Sequence, residues 1–80
     1  MMRSIFISLP TVGDVRSFVE QISSLEGNFD LVSGVYIMDA RSLMSVLSMD
    51  RSQPLELIIE KDTAETMKIL GKMAIADKNQ

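Results

Sequence analysis

Polar and apolar residues alternate from Ser4 to Leu9, with Ile5, Ile7 and Leu9 in one register and Ser4, Phe6 and Ser8 in the other. That period of two predicts a strand ending at Pro10. After Gly13-Asp14 the spacing becomes helical: Val15, Phe18, Val19, Ile22 and Leu25 fall on one face. Asp14 is placed to be the N-cap and Gly27-Asn28 to stop the helix. Two β-prone runs, 29–32 and 35–38, flank Ser33-Gly34, a turn that predicts an antiparallel hairpin. A second, shorter helix is expected from Asp39 or Ala40, with Leu43, Met44 and Leu47 on one face and fraying by Met49-Asp50. Residues 50–54 read as a loop, and 55–60 as a fourth strand with Leu57 and Ile59 on one side. Lys61-Asp62 then turns the chain. Asp62 or Thr63 is expected to cap a third helix running to about Ala76, with Ala64, Met67, Leu70, Gly71 and Ala74 in its stripe and Ile69 and Met73 beside it. Met67, Ile69, Leu70 and Met73 are expected in the core. Residues 77–80 read as a frayed polar tail.

The order is therefore β-α-β-β-α-β-α in one domain spanning residues 1–80, without repeat, linker or low-complexity segment. One-sided helices and four short strands imply an α+β layer pair, an open sheet with helices on one face.

Composition narrows the chemistry. The 80 residues include no cysteine and no histidine. Disulfides, thiol nucleophiles, the common zinc sites and every triad that needs an imidazole are thereby excluded. Eight basic against eleven acidic residues give a net charge of −3. The basic residues are scattered, and one tyrosine, three phenylalanines and no tryptophan offer little for base stacking, so nucleic acid is not an expected partner. Apolar runs of a handful of residues fall far short of the roughly 18–20 a membrane helix needs. The opening run around Ile5 is too short and too β-branched for a signal peptide, and is expected to be the first strand of a cytoplasmic protein. No nucleophile–base pair or metal-ligand cluster stands out, so no enzyme activity, cofactor or metal is expected.

Ala40-Arg41-Ser42-Leu43-Met44, with Leu47 and Ser48 following, resembles the start of the second helix in the HPr family. These are the histidine-containing phosphocarriers of the bacterial phosphoenolpyruvate:sugar phosphotransferase system. The resemblance covers essentially the whole chain in length and element order. It implies an HPr-like open-faced β-sandwich, with a four-stranded antiparallel sheet and three helices on one face. The family's active loop carries a phosphorylatable histidine followed two residues later by arginine. Setting Pro10 and Arg16 in register puts Asp14 at the histidine position, and Ser17 replaces the proline usual after the arginine. With no histidine anywhere, a phosphoramidate on imidazole cannot form.

Asp14 is read first as a helix cap contributing roughly 1 kcal/mol. An acyl-phosphate acceptor is disfavoured, since that chemistry usually relies on a metal held by further carboxylates and no other acid lies near it in sequence. Mimicry of a phosphorylated state is a third reading. Arg16 is either a phosphate or partner contact or a solvated side chain, and the helix dipole's mild penalty on a cation there tilts the reading towards binding. The resemblance makes Ser42 a regulatory phosphorylation site, because the matching serine of Gram-positive relatives is modified by HPr kinase/phosphorylase. The alternative is that Ser42 only helps to begin a helix. A first-turn hydroxyl is a favourable place for phosphate, with Arg41 beside it to neutralise charge. Leu43, Met44 and Leu47, with Arg41, are divided between core and partner surface.

The expected function is thus a protein-binding regulator of sugar transport that does not carry phosphate on histidine. It is similar to the catabolite-repression branch of the family, which lacks the active histidine and keeps the serine. Its implied partners are HPr kinase/phosphorylase or a transcriptional regulator. The alternative is an HPr-fold assembly module in which both phosphorylation positions are vestigial.

Overall fold

The computed structural model describes residues 2–77. In chain order the elements are β1 (Arg3–Ile7), α1 (Val12–Ser23), β2 (Phe29–Ser33), β3 (Tyr36–Asp39), α2 (Leu43–Ser48), β4 (Leu55–Ile59), α3 (Ala64–Leu70) and β5 (Ala76–Asp77). The expected β-α-β-β-α-β-α order is present, and the four main strands form an antiparallel sheet ordered β3-β2-β4-β1. The two-residue β5 adds to the free edge of β1.

Alternation within the strands sorts side chains between the two faces of the sheet. Ile5 and Ile7, Phe29 and Leu31, and Leu55, Leu57 and Ile59 are buried on the face the helices cover. Val15, Phe18 and Ile22 of α1, Val46 of α2 and Leu70 of α3 close over them in one core. Each large side chain buried in this way contributes about 1.5–3 kcal/mol relative to exposure. The opposite face carries Phe6, Glu56, Val32 and Ile37 in one cross-strand row.

Several boundaries differ from the sequence expectation, among them the end of α1, which stops at Ser23 short of Gly27-Asn28. Three others have a cause in the hydrogen bonding. First, α1 starts at Val12 and its N-cap is Thr11, not Asp14. Thr11 Oγ1 accepts from the Asp14 N–H at 3.0 Å, and the Asp14 carboxylate accepts from the Thr11 N–H at 3.2 Å. This capping box satisfies two orphan donors where an Asp14 cap would satisfy one. Second, α2 begins at Leu43 rather than Asp39 or Ala40, because those residues extend the sheet. Asp39 pairs with Asp30, and the Ala40 N–H donates to the Phe29 carbonyl. The Asp39 carbonyl and carboxylate then accept from the N–H groups of Ser42 and Arg41, turning the chain.

Third, α3 stops at Leu70 rather than Ala76. Gly71 is a poor helix former, and the open edge of β1 competes for the segment beyond it. The Ile75 N–H donates to Phe6 and Ala76 pairs with it, so ladder bonds replace the last helical turns. Leu70 is fully buried as expected, while Met67, Ile69 and Met73 pack half-buried at the core's margin. Thr63 caps α3 by accepting from the Thr66 N–H, and Asp62 lies 3.6 Å from Arg3. Residues 78–80 of the expected tail lie outside the described residues.

Glycine is required at two turns. Gly34 (φ +60) forms the hairpin turn with Val35, which therefore leaves the strand expected to contain it. Gly27 (φ +89) turns the chain out of α1 towards β2. No helix among the described residues is long and apolar enough to cross a membrane.

Candidate functional site

Arg16, Val19, Glu20 and Ser23 recur along α1 at helical spacing, on a flank beside its buried stripe. That flank faces α2, and with Leu43 these four residues line a shallow hollow of about 320 Å³. Arg16 is exposed, Leu43 is half-buried at the core's edge and Met44, one residue on, is 76% exposed. Leu47 is half-buried, and Val46, absent from the expected stripe, is the α2 residue fully inside the core. The division of this short helix between core and surface thus puts Val46 inside, Met44 outside, and Leu43 and Leu47 between them.

Asp14 and Ser17 are exposed and do not line the hollow. The Asp14 carboxylate is occupied in the capping box, which bears out its structural role while moving it from the N-cap to the third helical position. Among the described residues, no three acidic side chains come together in a group that would hold a metal ion.

Ser42 is the N-cap of α2, but its hydroxyl makes no capping bond; it donates to the Ser45 hydroxyl at 2.9 Å. The side chain is half-buried, one residue before the hollow. Arg41 departs from expectation. Its guanidinium turns away to donate to the carbonyls of Gly27, at 2.6 Å, and Leu25, and lies 4.9 Å from the centroid of the Phe29 ring. Two preorganised carbonyls and an aromatic face outcompete solvent for a planar five-donor group. Arg41 therefore clamps the loop after α1 to the turn before α2, and its charge is not set beside Ser42 or on the partner surface.

Two features were not anticipated from sequence. Arg51, read as part of a loop, donates to the carbonyls of Leu9 at 2.9 Å and Pro10 at 3.4 Å, fixing the segment that leads into α1. The second is a hollow of about 430 Å³ between β3 and the end of α2, lined by Ser33, Tyr36, Met38, Ser48, Met49 and Asp50. Its only sequence signal is the uncharged run Val35-Tyr36-Ile37-Met38. Beside it the Asp50 carboxyl is held below the usual carboxylate range, chiefly by the hydroxyl and then the N–H of Ser52.

No protein-family model matches this chain, and neither curated proteins nor solved structures give a significant match to it.

Proposed function

We propose that this chain is a cytoplasmic, protein-binding regulator of the HPr type, bacterial in origin, that does not carry phosphate on histidine. Its partner surface is the junction of α1 and α2. The observation that carries the reading is the meeting of a solvent-exposed guanidinium, Arg16, with the Leu43 edge of a short helix that leaves Met44 in water. A cation next to an adaptable apolar side chain suits a protein surface offering a carboxylate or phosphate beside an apolar patch. The resemblance around Ala40–Leu47 supplies the partner class, and phosphorylation at Ser42 supplies the control. A phosphate there would break the Ser42–Ser45 hydroxyl bond and place charge at the edge of the hollow.

A second reading is favoured by one observation. The Asp14 carboxylate and the Ser42 hydroxyl are both engaged within the fold, as expected of an assembly module with vestigial phosphorylation positions. One experiment separates the two. The ¹⁵N-labelled protein is incubated with HPr kinase/phosphorylase and ATP, then followed by intact mass and by amide shift mapping. Regulation predicts a single phosphate absent in Ser42→Ala, with shifts at Arg16, Leu43 and Met44 that Met44→Lys diminishes. No phosphate and no shifts would overturn it in favour of the assembly module.

A further inference from the structure

The alternation of hydrogen bonds fixes which backbone groups of β3 face the open edge of the sheet. The Ala40 N–H donates to the Phe29 carbonyl, and Phe29 stands opposite Ala40 in the ladder register of β2 with β3. On the other side of β2, the Glu60 N–H donates to the Asn28 carbonyl, so Asn28, Asp30 and Val32 address β4. Phe29, Leu31 and Ser33 address β3. By the alternation of antiparallel ladders, Met38 and Tyr36 direct their N–H and C=O groups to β2. Ile37 directs both of its groups outward, and Asp39 its N–H, at an edge that no other strand covers among the described residues.

Sheet edges are commonly blunted by lysine, proline or bulges. Here residues 35–38 carry neither charge nor proline, and Val35, Tyr36 and Ile37 are 91%, 65% and 64% exposed. The hollow of about 430 Å³ opens along this edge on the helix side of the sheet. Tyr36, Met38 and Met49 give it apolar walls, and the exposed Asp50 is also in its lining. A strand laid beside β3 would send alternate side chains to this side. A lysine or arginine fits it chemically, with its aliphatic stem along the methionines and the tyrosine ring and its charge at Asp50. On the opposite face the next added side chain would lie beside Ile37, with Asp39 and Asp30 further along. The surroundings are acidic and the whole chain carries −3, which disfavours a second copy of itself and favours a basic segment.

We propose that the β3 edge is a second protein-binding surface, which captures an extended, basic segment of another protein by strand addition, with a lysine or arginine of that segment in the hollow between Tyr36, Met38, Met49 and Asp50. Main-chain bonds to Ile37 and Asp39 would supply affinity, and the hollow would supply selectivity. This surface is separate from the α1–α2 junction and does not depend on the function proposed there.

The probe is a capped octapeptide of alternating lysine and valine, with a glutamate–valine peptide as its control. On titration into ¹⁵N-labelled protein, the lysine peptide should slow amide exchange at Ile37 and Asp39. Tyr36 and Met38, already bonded to β2, should change little. The glutamate peptide should not bind. Asp50→Asn, an exposed change with little risk to folding, should weaken binding about two- to fivefold, the range of a solvent-exposed ion pair. Ile37→Pro, which removes an outward N–H and is of a kind edge strands tolerate, should abolish protection. Met44→Lys should leave binding unchanged. No protection at Ile37, equal binding of both peptides, or shifts confined to Arg16 and Leu43 would each overturn the proposal. So would a self-dimer in sedimentation equilibrium that Ile37→Pro dissolves, since the occupant would then be a second copy.

Discussion

Replacing Arg41 with alanine should be among the most damaging single changes at a side chain that is not fully buried. The guanidinium donates to the carbonyls of Gly27 and Leu25 and covers one face of Phe29. Each charge-assisted hydrogen bond is worth about 1.5–3 kcal/mol in a protein. The cation–π contact adds about 0.5–1 kcal/mol. Water entering the vacated space would hydrate part of what is lost, because Arg41 is half-buried, so the net cost should be about 2–4 kcal/mol. A domain of this size has about 4–12 kcal/mol of stability in total. In urea, with a slope near 1 kcal/mol per molar for a small protein, the unfolding midpoint should fall by about 2–4 M. Arg41→Lys keeps the charge but cannot address two carbonyls and the ring together, so it should recover about half of the loss. A midpoint shift below about 0.5 M in Arg41→Ala would refute the clamp. A variant without the charge separates structure from regulation: well below its unfolding midpoint, the clamp predicts that Arg41→Gln leaves phosphorylation of Ser42 unchanged, whereas a phosphate-neutralising Arg41 would make it fall.

Three further outcomes are expected. Thr11→Ala should lower stability by about 1 kcal/mol through loss of the Asp14 N–H bond, measured by thermal unfolding; a null result would mean that solvent replaces the capping box. Gly27→Ala should cost about 1–2 kcal/mol in the same assay, since φ of +89 is strained for any residue with a Cβ. Asp50 should titrate below an ordinary aspartate by carbon-detected NMR, and Ser52→Ala should raise it only part of the way back, because the Ser52 N–H bond remains. A depressed carboxylate favours the folded chain above its unfolded pKa. That contribution disappears as pH falls through the lowered folded value, so the difference between wild type and Ser52→Ala should vanish in acid.

Strand periodicity was legible because burial on one face of a sheet demands it: Ile5 and Ile7, Leu57 and Ile59 read directly, as did the Val15, Phe18 and Ile22 stripe of α1. The absence of histidine decided, without any structure, that no phosphate travels on imidazole. That α2 would divide its apolar residues between core and surface was readable because so short a helix cannot bury them all, and Met44 is the one left in water. What sequence alone left open was settled by competition between partners distant in the chain. Thr11 displaced Asp14 as the cap because the reciprocal bond needs both residues. Asp39 and Ala40 joined the sheet because Phe29 offered a carbonyl 11 positions away. The segment after Gly71 left its helix because β1 had an unpaired edge. Arg41 was expected beside a phosphate or on a partner surface, and Arg51 in a loop, until folding brought backbone carbonyls within their reach. The hollow beside β3 exists only where Tyr36 and Met38 meet the end of α2. Local pattern determined the elements and their buried faces, because periodicity and burial are properties of neighbouring residues. Tertiary structure decided the boundaries, the clamps and the open edge, because each depends on a donor, acceptor or void supplied by another part of the chain.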